Sequence, residues 1–256
     1  MNVTFMGTGT STGVPAIACV CAVCASSDPR DNRTRTSVLL SVGQRRVLID
    51  ASIDLRQQAL REKLGTLDAV LVTHGHADHV FGLDDVRMFN FLQRAPIPVY
   101  GSAMTLSDLE RTFWYVFAPT QKGGSKPQIT LNEVSAPFEV AGLRVIPFTI
   151  THGTIPILGY RVGSFAYITD GSEIPEQTLP LLSGLDVLVI NALRREPHPT
   201  HFHLAGALAA IERIRPRRAL LTHISHYLQH ESLARELPEG IEPAYDGLTI
   251  EVDHEA

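Results

Sequence analysis

The segment Thr73-His74-Gly75-His76-Ala77-Asp78-His79 constrains this chain most, because it follows directly on the strand-like apolar run 68–73. Imidazole and carboxylate are the ligands of borderline and hard divalent ions. An apolar strand that ends in them holds them rigidly where a substrate can approach. An exposed polar loop has no need of three histidines at this spacing, so the segment is read as a metal site. Further candidates recur downstream, each at the end of a predicted strand: His152 after 143–151, Asp170 after 165–169 and His223 after 219–222.

The pattern His-X-His-X-Asp-His resembles the signature of the metallo-β-lactamase superfamily. The resemblance covers essentially the whole chain, from the Gly7-Thr8-Gly9 loop to Thr222-His223-Ile224-Ser225-His226. It implies an α/β fold, an αββα sandwich of two mixed sheets flanked by helices, with the metal site at one edge between the sheets. One domain over residues 1–256 is expected. Carried over residue by residue, the resemblance implies that His74, His76 and His152 hold one ion, that Asp78, His79 and His223 hold another, and that Asp170 bridges them. A water shared by two cations loses its proton at neutral pH, which supplies a hydroxide nucleophile. Manganese and zinc both suit these ligands.

The strand and helix pattern is compatible with that architecture. Runs 2–6, 37–42, 46–50 and 97–100 read as strands in the first half, and 133–140, 144–151, 157–162, 165–169, 186–190 and 218–222 in the second. Helices are expected over 54–63, from Asp78 to Asn90, over 105–113, after Pro175 and over 204–214. Asp50 closes an apolar strand and is a candidate to orient a ligating histidine. The loop from Gly7 to Gly13 could leave amides free near an anion. Asp84, Asp85 and Arg87 either order the site from outside or form an exposed ion-paired turn. The aromatic cluster 113–117 is core or the wall of a substrate pocket, and the Gly-containing stretch 121–126 reads as a mobile loop.

All three cysteines, Cys19, Cys21 and Cys24, fall within six residues, and a disulfide framework would use an even number. Three clustered thiols look like metal ligands, and a structural zinc needs a fourth. The whole pattern also resembles the phosphoribosyl 1,2-cyclic phosphate phosphodiesterases of the carbon–phosphorus lyase pathway, in which that fourth ligand maps to His226. The resemblance therefore implies two catalytic divalent ions and one structural zinc.

The same resemblance gives His201 the role of general acid or phosphate stabiliser, with His203 as the competing candidate. Together with Asp78 and Asp170 this makes the expected catalytic set. Hydrophobic content of 44%, charged content of 19% and no long apolar run predict a protein that does not cross a membrane, with a cytoplasmic location. The net charge of −5, without a basic run, argues against gripping long nucleic acid. The expected reaction is hydrolysis of a small phosphodiester, such as the phosphoribosyl cyclic phosphate. The alternatives are a ribonuclease Z-like nuclease and a protein of the pyrroloquinoline quinone biosynthesis type. The relatives also suggest a homodimer.

Overall fold

A computed structural model describes residues 1–119 and 125–254. In chain order the first half holds β1 (Asn2–Gly7), β2 (Ser37–Val42), β3 (Arg45–Ile49), α1 (Leu55–Arg61), β4 (Ala69–Leu71), α2 (Ala77–Val80), α3 (Arg87–Gln93), β5 (Ile97–Gly101), α4 (Ala103–Thr112), α5 (Trp114–Phe117) and β6 (Ile129–Glu133). The second half holds β7 (Phe138–Val140), β8 (Leu143–His152), β9 (Ile155–Val162), β10 (Phe165–Tyr167), β11 (Val187–Asn191), α6 (Leu204–Ile214), β12 (Arg218–Thr222), α7 (His230–Glu236), β13 (Ile241–Pro243) and β14 (Thr249–Glu251). They form two seven-stranded mixed sheets, ordered β14-β1-β2-β3-β4-β5-β6 and β13-β12-β11-β10-β9-β8-β7. This is the α/β sandwich that the family resemblance implied.

Why the sandwich has helices on both outer faces can be read from strand periodicity. Val38 and Leu40, Val47 and Ile49, and Ala69 and Leu71 face Val145, Tyr160, Phe165, Tyr167 and Val189 of the other sheet. The alternate residues Leu39, Leu48 and Val70 are just as apolar and pack outward with Leu55, Leu83 and Leu109. Ile168, Leu188 and Leu221 do the same against Ala207, Ile211 and Leu233. A strand that is apolar on both faces needs cover on both, which neither sheet alone provides.

Strand direction then places the site. β3, β4, β5 and β6 run parallel in one sheet; in the other, β10, β11 and β12 run parallel, and β8 shares their direction because β9 is antiparallel to both β8 and β10. The carboxyl ends of β4, β8, β10 and β12 consequently open on one edge. Hydrogen bonds join the sheets there, among them Leu158 N donating to the Thr73 carbonyl at 3.0 Å and Tyr160 Oη to the Val72 carbonyl at 2.7 Å.

Several local expectations change. The strand expected over 133–140 is two strands, β6 and β7, in different sheets, broken around Pro137, which cannot donate to a ladder. The helix expected from Asp78 to Asn90 is α2, a 3-10 segment Phe81–Val86 and α3. Gly82 lets this segment pack closely, since a Cβ there would lie 2.0 Å from the Ser52 carbonyl oxygen. The helix expected after Pro175 is a 3-10 segment, Glu176–Leu182. Arg87 pairs with Asp84 at 2.8 Å on the surface, which is the exposed-turn reading. Of the aromatic cluster, Phe113 and Val116 are core while Trp114 is exposed. Gln121 to Gly124 of the expected mobile loop lie outside the described residues.

Candidate metal centre

Eight side chains from distant parts of the chain converge on this edge. The ligand atoms of His74, His76 and His152 all lie within 4.8 Å of one another, as do those of Asp78, His79, Asp170 and His223. Asp170 also groups with His152 and His201 in the same way, so it stands between the two sets. Its Oδ1 lies 2.9 Å from His201 Nε2 and 3.2 Å from His223 Nε2, and its Oδ2 lies 3.2 Å from His79 Nε2. Asp78 Oδ2 is 3.3 Å from His79 Nε2 and 3.7 Å from His223 Nε2.

The buried groups behind these side chains fix which nitrogen faces inward. Asp50 Oδ2 accepts from His79 Nδ1 at 2.7 Å, which leaves His79 Nε2 as a lone-pair donor toward the site. Asp50 is itself held by the Thr73 amide at 2.8 Å and the Thr73 hydroxyl at 2.9 Å. His152 Nδ1 donates to the Thr200 carbonyl at 2.7 Å, to the same effect. His74 Nδ1 meets Thr73 Oγ1 at 3.0 Å. Asp50 was marked by its place at a strand end. Thr200 carried no such signal, since it acts through a backbone carbonyl 48 residues from its partner.

Burial and charge prepare the set for cations. Burial, with the charge of His79 next, pushes His74 well below the usual histidine range, and burial with His152 lowers His76, so both present lone pairs at neutral pH. Burial works to raise Asp170, but the imidazoles of His223 and His79 outweigh it and hold the carboxyl well below its usual range. Asp78 is lowered too, against its burial, chiefly by His79. His79 goes the other way: despite burial, Asp170, Asp50 and Asp78 raise it well above the usual value. Without an ion, that proton answers three carboxylates.

The residues fit divalent ions on a structural test. His79 Nε2 and both ring nitrogens of His223 are buried with no hydrogen-bond partner, and such orphans are costly unless a cation takes them. Three of the positions also hold a left-handed backbone without glycine: Asp50, Asp170 and His223 at φ of 62°, 56° and 53°. Strain of this kind persists where surrounding contacts enforce it, often at functional sites.

A second donor set sits beside the first. Cys19, Cys21 and Cys24 have their sulfurs 3.1, 3.6 and 3.5 Å from His226 Nδ1. The Cys24 amide is the main influence holding the Cys21 thiol down at about 6, whereas burial and the neighbouring sulfurs push Cys24 up to about 11. Three thiolates cannot share this space without a cation, which is the fit expected of a zinc site. The N-terminal loop also pairs with the strand end: Thr10 N donates to the Ile224 carbonyl at 3.1 Å and Ile224 N to the Thr8 carbonyl at 2.9 Å. Those bonds, with Gly9 N to Thr34 and Gly13 N to Thr10, engage amides that the sequence reading left free for an anion.

The centre opens into a cavity of about 350 Å³ lined by Ser11, His76, Asp78, His152, Thr154, Ile155, Asp170, Thr200 and His201. No residue of the 113–117 aromatic cluster lines it. His201 lies in this wall, whereas His203 is the N-cap of α6 with its ring over Gly206. Of the two candidate histidines, His201 is therefore the one that faces the cavity.

Comparison with known proteins gives four findings. The model of the beta-lactamase superfamily domain matches residues 45–224. The crystal structure of a diphosphatase from the PhnP family is 44% identical, with a TM-score of 0.92 over 99% of this chain and 98% of that one. An octanoyltransferase of Porphyromonas gingivalis is 41% identical over 99% of this chain but 52% of its own length, so the chain spans about half of that relative. The zinc-bound PqqB of Methylobacterium extorquens, 22% identical over 98% of this chain and all (100%) of that one, shares the fold at a TM-score of 0.80. Family match, fold and donor sets agree: the chain belongs to the beta-lactamase superfamily and, within it, to the PhnP family of metal-dependent hydrolases.

Proposed function

We propose that this chain hydrolyses a small phosphodiester, with a cyclic sugar phosphate as the leading substrate class. The observation that carries the reading is Asp170, which belongs both to the group with His79 and His223 and to the group with His152 and His201. His74, His76 and His152 would hold one divalent ion and Asp78, His79 and His223 a second, with Asp170 between them. Bound there, such a pair supplies activation of water as the nucleophile and neutralisation of phosphoryl oxygens.

The protein supplies the rest. Asp50 and the Thr200 carbonyl hold the ligating imidazoles in one tautomer and orientation, so little reorganisation is needed during reaction. His201 Nε2 sits in the cavity wall and can give its proton to the leaving alkoxide, a step that contributes roughly 10²–10⁴-fold when well placed. The cavity, about 350 Å³, suits a small ester more than a polymer. The Cys19, Cys21, Cys24 and His226 set, holding a zinc, would brace the strand end that carries His223.

The test is turnover by manganese- or zinc-reconstituted protein of phosphoribosyl 1,2-cyclic phosphate and bis(p-nitrophenyl) phosphate, with Asp170→Ala and His201→Ala as controls. Turnover of the cyclic ester, lost in both variants, supports the assignment. Absence of turnover of either diester removes it. A second reading, cleavage of a diphosphate linkage, is favoured by the 44% identity to a diphosphatase. It predicts faster turnover of a P–O–P diester in the same assay. Because a relative twice this length is named for octanoyl transfer, octanoylated phosphate esters belong in the same panel.

A further inference from the structure

The wall beside the metal centre holds one residue whose chemistry the hydrolytic reading leaves unused. Among the described residues that line the cavity, Ile155 is the one large apolar side chain, set among imidazoles, carboxylates and hydroxyls. It keeps 38% of its surface exposed. Across the β8–β9 ladder it pairs with His152, one of the candidate ligands. Directly opposite residues of an antiparallel pair project to the same side of the sheet, with Cβ atoms roughly 4.5–5.5 Å apart. Ile155 therefore stands next to His152 on the side that faces the site.

The hairpin tip that carries Ile155 is braced. Gly153 turns the chain at φ 63°, and a Cβ there would lie 2.8 Å from Thr200 Cγ2, so the tip packs on the residue whose carbonyl orients His152. Gly153 N donates to Ser172 Oγ at 3.0 Å, and that hydroxyl donates to the Thr151 carbonyl at 3.0 Å. Ser11 enters the same cavity from the loop after β1, in a turn closed by Gly13 N donating to the Thr10 carbonyl at 2.8 Å. Arg35 Nε donates to the Ser11 carbonyl at 3.0 Å, and Arg35 pairs with Asp54 at 3.2 Å. Contacts within the fold thus anchor both walls.

We propose that Ile155 is the specificity-determining residue of this site and that the ester it selects carries a ring. The apolar face of that ring lies on Ile155, and its polar edge meets the hydroxyls of Ser11 and Thr154. The proposal rests on the phosphodiesterase reading above and narrows its substrate class. Pockets for small ligands combine an apolar surface with a few placed polar groups, and the lining supplies both. A furanose or an aromatic ring has such a face and edge, whereas a methyl ester offers too little area to use them. The contact is made away from the bond that breaks, so it favours ground state and transition state alike and acts on KM rather than kcat.

Two readouts test the proposal. Calorimetric titration of zinc-loaded protein with phenyl phosphate and with methyl phosphate measures ring recognition without turnover. The expected result is tighter binding of phenyl phosphate by the wild type, a preference that falls about tenfold in Ile155→Ser and survives in Ile155→Leu, the scale for losing apolar contact in a pocket. An unchanged preference in Ile155→Ser would overturn the proposal. So would loss of zinc from that variant, which would make Ile155 a support for His152 instead. The kinetic readout is the split between KM and kcat for the cyclic sugar phosphate and bis(p-nitrophenyl) phosphate. Ile155→Ser should raise KM about tenfold on both with kcat unchanged, and Ile155→Leu should restore it. A fall in kcat at unchanged KM would sink the idea. If the wild type cleaves neither diester, the phosphodiesterase reading fails, and the titration still decides whether Ile155 reads a ring.

Discussion

Replacing Asp50 by asparagine separates the charge of this buried carboxylate from its shape. Asparagine tolerates the left-handed backbone that Asp50 adopts at φ 62°. It cannot reproduce the hydrogen bonding, because both carboxylate oxygens accept from N–H groups, Oδ1 from Thr73 N and Oδ2 from His79 Nδ1. The amide must turn its own NH₂ toward one of them. Facing His79, it forces the imidazole into the tautomer with a proton on Nε2, which cannot ligate; facing Thr73, it orphans a buried amide. Loss of a partner behind a ligating histidine lowers metal affinity roughly 10- to 100-fold, or about 1.4–2.8 kcal/mol. Asp50→Ala leaves two buried donors unpaired at about 1–3 kcal/mol each, plus about 1 kcal/mol or more for alanine in a left-handed conformation. The total, about 3–7 kcal/mol, is a large share of a domain's stability, so the asparagine variant is the informative one. Competition with a chelator, read by calorimetry, gives the affinity. Zinc or manganese binding to Asp50→Asn as tight as to the wild type would refute the view that Asp50 selects the His79 tautomer.

Metal-free protein should be most stable near pH 6.5, the unfolded histidine value. Below it, His74 and His76, whose pKa values are lowered in the fold, bind fewer protons folded than unfolded, so stability rises with pH. Above it, His79, raised in the fold, binds more protons folded, so its contribution fades as pH climbs toward its folded pKa. Urea midpoints across pH 5–9 check this, and metal should abolish the falling limb by displacing the His79 proton. Gly82→Ala places a Cβ 2.0 Å from the Ser52 carbonyl and should lose about 1–3 kcal/mol in urea unfolding, as the turn beside His79 shifts. Cys21→Ala should remove one zinc per chain by elemental analysis and lower stability by about 2–3 kcal/mol, while the catalytic pair still loads.

The chain's local chemistry was legible from residue order alone. The cluster from His74 to His79, the strand-end positions of His152, Asp170 and His223 and the cysteine cluster follow from residue type and short spacing, because ligand chemistry and strand period are local properties, whereas the sandwich class came with the family resemblance that the histidine cluster carries. Tertiary structure decided which distant groups meet. Parallel strand direction brings Asp170 and His223 to the edge occupied by the His74–His79 segment. Thr200 orients His152 through a carbonyl, and any residue type at that position carries one. The left-handed conformations of Asp50, Asp170 and His223 had no glycine to announce them, since packing enforces them. His201 and His203 are alike in sequence, and only the start of α6 turns one into the cavity wall and the other over Gly206. Sequence fixes what each side chain can do, whereas contacts made across many residues fix which atom of it faces the site.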